Sequence, residues 1–296
     1  MDRPATTLDE LNVADEQRFV ACLDGIFEHA PWVAGETAHL RPFATVSHLH
    51  DELMRTVRRK PREDVLAFLN GHPALGGKEA RAGTVTPQSA REQAGLGFVS
   101  LTGEQARELE AVNAAFLFKF GFPFIICARR HTRPSILRAL RERSGNSIDQ
   151  EVANALAEIE HITRLRLVDR VTGPGAPQVA GRLSTHVLDT HAGRPAQGVR
   201  IELFEVAYAA PVRLAEAETN HEGRTDQPLL AGVPLRIGRY ELVFHMGAYY
   251  RAHSVLGAGE LFLDEVSIRF GISEPEGHYH VPLVATPWSY STYRGS

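Results

Sequence analysis

Three histidines and an arginine in the second half of the chain have the types and spacing to move protons and hold an anion. In the strand-like run "LSTHVLDT", alternation places Ser184 and His186 on one face. His278 and His280 share a face of "HYHVPL", and Arg224 follows the polar turn "TNHEG". A neutral imidazole can act as a base near neutral pH, and a guanidinium can stabilise an oxyanion. Each residue alone is more often structural or solvated, so the prediction rests on their combination.

The pair in "HYHVPL" also allows a second interpretation, a zinc site. Two histidines at positions i and i+2 could bind zinc, but no cysteine, aspartate or glutamate with ligand spacing accompanies them. We therefore expect no metal in this half of the chain.

The first half contains a second group of candidate residues. His72 precedes Pro73, which restricts its backbone to extended conformations and so holds the histidine in place. Ser89, Glu92 and Gln93 occupy positions i, i+3 and i+4, which lie on one face of a helix. The alternative is the polar stripe of a capped surface helix.

A glycine–phenylalanine–proline break interrupts the apolar run "FLFKFGFPFIICA". Most of this run is expected to be core, but the break could expose backbone N–H groups to a ligand. We include Phe122, Ile125 and Pro73 among the candidate substrate-binding residues.

The elements that must position these residues differ between the two halves. The first half shows helical periodicity, with Pro61 and Gly71 bounding one helix and a capping-box pattern from Ser147 to Gln150 opening a long one. After "TGPGAPQVAG", short alternating runs separated by turn residues predict an antiparallel β-sandwich. We predict a multidomain α and β protein, with an all-α domain at 1–171, a linker at 172–178 and an all-β domain at 179–296.

Composition excludes several other classes of protein. The net charge of −4 and the scattered arginines argue against nucleic acid and anionic membranes as partners. No window is long and apolar enough for a membrane span, and the N-terminus lacks the pattern of a signal peptide. Cys22 and Cys127 lie far apart in apolar segments, so we expect buried thiols in a reducing cytoplasm.

Four segments of the β half, "LSTHVLDTHAGRPAQGV", "TNHEGRTD", "HYHVPL" and the terminal "YRGS", resemble 5-hydroxyisourate hydrolase, the enzymatic relative of transthyretin. The resemblance covers about residues 181–296. It implies a transthyretin-like sandwich assembled as a tetramer, with active sites in a channel between subunits. It assigns that site to the following positions: His186, Arg224, His280, Tyr293, Arg294 and Ser296.

The hydrolase chemistry suits those residue types. Opening the lactam requires a base to activate water, which a histidine supplies, and a cation for the developing oxyanion, which either Arg224 or Arg294 supplies. The alternative is a hormone carrier like transthyretin, which has no need for two histidines and an arginine in its channel and lacks "YRGS".

The α half resembles 2-oxo-4-hydroxy-4-carboxy-5-ureidoimidazoline (OHCU) decarboxylase over about residues 7–170, through "GHPALGGK", "SAREQAGLG", "KFGFPFIICA" and "ALAEIEHITRLRL". The resemblance implies an all-helical dimer that works without a cofactor. It makes His72 and Glu92 catalytic, with His72 paired to Glu92. Substrate binding falls to Ser89, Gln93 and Arg166, with Arg164 left as an alternative carboxylate binder.

The two resemblances support each other, because the hydrolase product is the decarboxylase substrate. We therefore expect a bifunctional enzyme of urate breakdown that converts 5-hydroxyisourate through OHCU to (S)-allantoin and CO2, with small-molecule substrates and a homo-oligomeric assembly. A pair of degenerate binding domains is the alternative, and it would require lost site residues, whereas each expected residue is present. The residue that reprotonates carbon after CO2 leaves stays open.

Overall fold

The computed structural model describes residues 5–76, 87–94, 96, 103–206, 210–253 and 261–295. The chain forms two compact units. The first comprises Met1–Arg129 and Ile136–Gln178, and the second comprises Arg130–Ser135 and Val179–Ser296. A short segment from the first half of the sequence is therefore clustered with the second unit.

The first unit is helical, as predicted. Its helices are α1 (Leu8–Val13), α2 (Glu16–Leu23), α3 (Pro31–Thr37), α4 (Val46–Arg58), α5 (Arg62–Asn70), α6 (Pro87–Ala94), α7 (Gly103–Phe120), α8 (Arg133–Arg143) and α9 (Ile148–Val168), with 3-10 turns at Ala38–Leu40 and Ala128–Arg130. The last residue of the second turn and the first three residues of α8 belong to the second unit. Two short strands, β1 (Thr6–Thr7) and β2 (Val171–Thr172), pair in parallel.

Local signals in the sequence set the ends of the helices that carry site residues. Helix α5 has Pro61 at its N-cap and Gly71 at its C-cap, which delivers His72 directly after the helix. Helix α9 opens with the predicted capping box, in which Ser147 and Gln150 each accept a backbone N–H of the other. The long α9 then extends to Val168, which brings Arg166 to its last turn.

The second unit consists mainly of strands, with one helix, α10 (Met246–Ala252). Its strands are β3 (Arg182–Ser184), β4 (Val187–Asp189), β5 (Arg194–Pro195), β6 (Arg200–Glu205), β7 (Val212–Glu218), β8 (Gly238–Phe244), β9 (Val266–Ile272), β10 (His278–His280), β11 (Leu283–Ala285) and β12 (Tyr290–Thr292). Two four-stranded sheets, in the orders β12-β11-β4-β5 and β7-β6-β8-β9, share one hydrophobic core. The predicted sandwich is confirmed.

Two strand pairs differ from the antiparallel arrangement that the sequence analysis predicts. Strand β10 runs parallel to β3, and β11 runs parallel to β4. The alternation of side chains along a strand is the same for either direction of its neighbour, so the pattern cannot distinguish the two. The parallel register places the candidate His280 beside Ser184, although the two residues lie 96 positions apart in the sequence.

The segment 172–178, which the sequence analysis assigns to a linker, lies within the compact helical unit, which extends to Gln178. The backbone N–H groups of Val46 and Ser47 donate to the carbonyls of Pro174 and Gly175 at 3.0 and 3.2 Å. N–H groups in the first turn of a helix have no partner within the helix, so this segment satisfies two of them at the start of α4.

No helix among the described residues is long and apolar enough to cross a membrane.

Candidate active sites

The helical unit contains a cavity of about 50 Å³. Its lining combines apolar side chains with a small set of polar ones. The polar side chains of the lining, together with the two apolar residues that the sequence analysis selected, are Glu28, His72, Pro73, Ser89, Glu92, Ile125, Thr163 and Arg166. Helices α6 and α9, the turns after α2 and α5 and the segment after α7 supply them, so the cavity exists only when these distant segments are packed together.

Arg166 is the centre of the polar network, and it is almost completely buried. Its Nε and Nη2 donate to the two carboxylate oxygens of Glu92 at 2.9 and 2.8 Å, a bidentate pairing. The remaining N–H groups donate to Glu28 Oε2 at 3.0 Å, to Ser89 Oγ at 3.1 Å and to the Gly25 carbonyl at 3.2 Å. All five donors of the guanidinium are thus in use.

Two opposing influences act on the charge of Arg166. Burial disfavours the charged form, but the bonds and charges of Glu92 and Glu28 outweigh burial and raise the pKa of Arg166. Arg164, the alternative that the sequence left open, instead pairs with Glu160 at 2.9 Å outside the residues that line the cavity. The structure therefore places Arg166, and not Arg164, at the cavity.

His72 enters the cavity from the end of α5. Its Nδ1 lies 3.1 Å from the carbonyl oxygen of Phe68, and the two rings meet edge to face at 5.0 Å. A carbonyl can only accept, so Nδ1 carries the proton and Nε2 of the neutral ring carries the lone pair. Burial lowers the pKa of His72 to about 4, which keeps the ring neutral at physiological pH.

The expected pairing of His72 with Glu92 is not formed in this structure. Both side chains line the cavity, but the hydrogen bonds of Glu92 among the described residues go to Arg166. A buried guanidinium is a stronger partner for a carboxylate than a neutral imidazole, because the ion pair offsets the cost of burying both charges.

The other substrate-binding candidates of this half divide into three groups. Pro73 and Ile125 line the cavity. Phe122 is fully buried within the phenylalanine cluster, next to Phe116 and Phe120, and does not line the cavity; Phe124 does. The side chain of Gln93 lies outside the described residues.

A buried ion pair holds the wall that carries Ile125. Arg143 donates from Nη1 to the Ile125 carbonyl at 3.0 Å and from Nε to Glu151 at 2.9 Å. Glu151 is completely buried, so its pairing with Arg143 fixes the position of that wall segment.

Glu28 is a site residue that the sequence analysis did not identify. It is 3% exposed, accepts from Arg166, and accepts the Ser89 hydroxyl at 3.0 Å. The sequence contains one signal for this residue: Glu28 is a single carboxylate directly after the apolar Ile26 and Phe27, which the structure buries. A buried carboxylate requires a partner, but nothing in the sequence connects position 28 with position 166.

In the second unit, the predicted histidines meet in a hydrogen-bonded chain. Nδ1 of His186 lies 2.7 Å from Nε2 of His280, and the two rings stack with centroids 4.9 Å apart. Nδ1 of His280 lies 2.9 Å from the Ser184 hydroxyl, which lies 3.0 Å from Nε2 of His278. The expectation that Ser184 and His186 share a face, as do His278 and His280, is confirmed.

The surroundings favour neutral forms of the two stacked histidines. Burial is the first cause that lowers the pKa of His186, and the positive charge of Arg224 adds to it. Burial also leads for His280, followed by the charges of His186 and Arg224. Neutral imidazoles can accept a proton from water, as hydrolysis requires.

A tight turn delivers Arg224 to this group. Asn220 Oδ1 accepts the backbone N–H groups of Glu222 and Arg224, and Arg224 forms a β-bridge with His186. Gly223 has φ +72, and a Cβ there would lie 2.3 Å from the Val187 carbonyl oxygen, so the turn requires glycine.

The C-terminal tail is anchored beside His280. Strand β12 pairs with β11, and the N–H of Gly295 then donates to the carbonyl of His280 at 2.9 Å. A Cβ at Gly295 would lie 2.6 Å from Cδ2 of the His280 ring, so only glycine allows this approach. The tail therefore contacts the histidine chain through its backbone.

The side chains of the tail have other positions. The Arg294 guanidinium lies 4.8 Å from the centroid of the Tyr279 ring and 3.6 Å from Glu274, and the Tyr293 ring is exposed. Arg224, whose charge acts on both stacked histidines, is the cation that the structure brings to them. Ser296 lies outside the described residues.

Comparison with known proteins assigns both halves. The family model for OHCU decarboxylase matches residues 12–168, and the model for the HIUase/Transthyretin family matches residues 183–295. A 5-hydroxyisourate hydrolase of Pseudomonas aeruginosa is 51% identical over 126 residues, which is 43% of this chain and 100% of that protein. An OHCU decarboxylase of Haloferax volcanii is 34% identical over 164 residues, 55% of this chain and 95% of that protein.

The chain belongs to both families. A solved structure of (S)-allantoin synthase is similar along almost the whole length, with 32% identity, a TM-score of 0.55, and coverage of 99% of this chain and 100% of that one. The helical cavity therefore lies in the OHCU decarboxylase half of the chain, and the histidine chain lies in the HIUase/transthyretin half.

Proposed function

We propose that the chain is a bifunctional enzyme of urate breakdown. The sandwich hydrolyses 5-hydroxyisourate to OHCU, and the helical unit decarboxylates OHCU to (S)-allantoin and CO2. One observation carries the proposal: a single chain combines the two families, holds a polar site in each, and is similar over its full length to (S)-allantoin synthase.

In the hydrolase step, a neutral histidine of the stacked pair takes a proton from water while the oxygen adds to the lactam carbonyl carbon. Arg224 stabilises the negative charge that develops on the carbonyl oxygen. The ring C–N bond then breaks, and the nitrogen takes up a proton to complete the hydrolysis. His186 and His280 suit this role because their lowered pKa values keep them neutral.

In the decarboxylase step, Arg166 binds the substrate carboxylate. Protein groups occupy all its donors, so the incoming carboxylate takes the place of Glu92 on the guanidinium fork. The same movement enlarges the cavity, which measures about 50 Å³. Glu92, once displaced, is free to pair with His72.

Decarboxylation without a cofactor needs an acceptor for the electrons of the broken C–C bond. The adjacent ring C=N of OHCU provides it. Nε2 of His72 takes the proton of the hydroxyl on the carbon that loses CO2, and this carbon becomes a carbonyl. The carbon of the former ring C=N is then protonated. The enclosed cavity exposes one face of that carbon, which gives a single enantiomer.

The assembly and the compartment belong to the same proposal. Large apolar side chains are exposed on both units, Phe118 on α7 at 94% and Trp288, Tyr290 and Tyr293 near β12 at about half, which supports homo-oligomers formed through these surfaces. Light scattering on the purified protein measures the assembly. Cys22 and Cys127 are free thiols, which supports a cytoplasmic location.

A coupled assay tests the proposed reactions. Urate and urate oxidase generate 5-hydroxyisourate in the presence of the purified protein, and circular dichroism follows the product. We expect optically active allantoin to form at a rate set by the protein. A slow, racemic product would contradict the proposal.

Variants of the helical site assign each reaction to its unit. His72→Asn and Glu92→Gln should each lower decarboxylation by about 10² or more, because a general base typically contributes 10²–10⁴. 5-Hydroxyisourate should still disappear at the wild-type rate, so OHCU accumulates. An equal fall in both rates would show that the steps are assigned to the wrong units.

A further inference from the structure

The stacked histidines are part of a longer hydrogen-bonded chain that ends at the protein surface. His186 contacts His280, His280 contacts Ser184, and Ser184 contacts His278, with heavy-atom distances of 2.7, 2.9 and 3.0 Å. His280 and Ser184 are buried, whereas His278 is exposed. The hydrolase mechanism described above uses the first two members and leaves Ser184 and His278 without a role.

The polarity of this chain permits proton transfer along its whole length. A hydroxyl can accept from one ring nitrogen while it donates to the other, and each neutral imidazole carries one N–H and one lone pair. If Nδ1–H of His186 donates to His280, then Nδ1–H of His280 donates to Ser184, and the Ser184 O–H donates to His278. Nε2 of His186, which has no hydrogen bond among the described residues, is then the free base.

Electrostatics give a reason to move a proton away from the stacked pair. When His186 takes a proton from water, a positive charge appears beside Arg224, which already disfavours charge on both His186 and His280. The other charged or titratable groups that act on His280 are His278 and Arg182. His278 is exposed, so a positive charge there is hydrated and is screened by solvent.

We propose that Ser184 and His278 form a proton relay for the hydrolysis. The relay holds the proton taken from water until the proton is transferred to the leaving nitrogen of the substrate ring. The inference rests on the proposed hydrolase function. As water adds to the carbonyl, Nε2 of His186 gains a proton, and three transfers through His280 and Ser184 leave His278 as the imidazolium. When the ring C–N bond breaks, the reverse transfers return the proton through Nε2 of His186 to the nitrogen. No proton is gained or lost overall.

Steady-state kinetics of 5-hydroxyisourate loss test the relay with Ser184→Ala, Ser184→Thr and His278→Ala. We expect the alanine variants to lose at least about tenfold in kcat, a part of the 10²–10⁴ that acid–base catalysis supplies, with KM little changed. The threonine variant keeps its hydroxyl and should retain most of the activity. Added imidazole should restore His278→Ala in proportion to its concentration, because a free imidazole can take the proton from Ser184.

His191→Ala is the matched control. His191 is also exposed in the same unit, but its ring contacts Trp288 and is not a member of the hydrogen-bonded chain. It should keep the wild-type kcat and show no response to imidazole. Substitution of the exposed His278 leaves the core intact, so this variant reports on the relay even if Ser184→Ala does not fold. A His278→Ala variant with wild-type kcat and no response to imidazole overturns the relay.

Two further measurements separate failure of the relay from failure of the proposed function. OHCU decarboxylation in the same samples should be unchanged. His186→Ala should abolish hydrolysis; if it does not, then the site itself is wrong, whereas an inactive His186→Ala beside a fully active His278→Ala removes the relay alone.

Discussion

The two sites use charged groups in opposite ways. In the helical unit, Arg166 is buried with two carboxylates, and its partners come from segments that are far apart in the chain. In the sandwich, Arg224 is exposed at the end of a turn, and the histidines meet because their strands are in register. The helical site is therefore part of what holds its unit together, whereas the sandwich would form without the charge of its site. The predictions below test that difference.

The largest expected effect is on stability, from Arg166→Ala. This change leaves the buried Glu28 and the partly buried Glu92 without their cation, which should lower the free energy of unfolding of the helical unit by about 3–5 kcal/mol and abolish decarboxylation. Arg224→Ala should abolish hydrolysis with little loss of stability, because the side chain is exposed. Denaturant unfolding followed by helical circular dichroism measures both. Equal destabilisation by the two variants would remove the contrast.

A second prediction concerns the tail, where activity and stability should separate. Gly295→Ala places a methyl group against the His280 ring, and deletion of residues 294–296 removes the contact altogether. Each should lower hydrolysis by about 10² or more, comparable with the loss of one oxyanion donor, because His280 is displaced from the chain. The melting temperature and the decarboxylase rate should stay close to wild type. A deletion variant with full hydrolysis would show that the tail is dispensable.

A smaller effect is expected on the pH dependence of decarboxylation, which tests the burial of the helical site. The neutral form of His72 is the base, and it is lost only as pH falls through its pKa of about 4. Decarboxylation should therefore hold constant from neutral pH to about pH 5, well below the ordinary histidine value of about 6.5. kcat/KM measured against pH, with folding checked at each point, tests this. A midpoint near 6.5 would show that His72 is solvated in the free enzyme.

The smallest expected effect is that of metal chelators. Among the described residues there is no group of three or more histidine, cysteine or carboxylate side chains placed to hold a metal ion. Both reactions as proposed use protons and hydrogen bonds only. Prolonged incubation with EDTA should leave both rates unchanged. Loss of either rate, with recovery on addition of a divalent metal, would contradict the proposed mechanisms.

The sequence predicted the parts of each site that depend on local pattern. Strand alternation placed Ser184 and His186 on one face, where both contact His280, and the helical spacing of Ser89 and Glu92 brought both side chains to Arg166. These relations depend only on the geometry of one element, which a sequence determines directly.

The contacts between distant segments could not be predicted in the same way. The position of Glu28 beside Arg166 and the preference of Glu92 for Arg166 over His72 both depend on tertiary packing. The parallel direction of β10 and β11 has no signal in side-chain alternation. The position of the Arg294 side chain near Tyr279 also depends on the path of the whole tail, which the motif "YRGS" alone does not determine.

The hydrogen bond between His72 and the Phe68 carbonyl has a consequence for the evolution of the two activities. The group that fixes the protonated nitrogen of His72 belongs to the main chain, so every side chain at position 68 presents the same acceptor. Substitution of residue 68 therefore does not remove it; an insertion, a deletion or a proline elsewhere in α5 is needed. The ring of His280 is instead oriented by a serine side chain, which a single base change can replace. Under relaxed selection, the hydrolase site should therefore decay by substitution sooner than the histidine of the decarboxylase site.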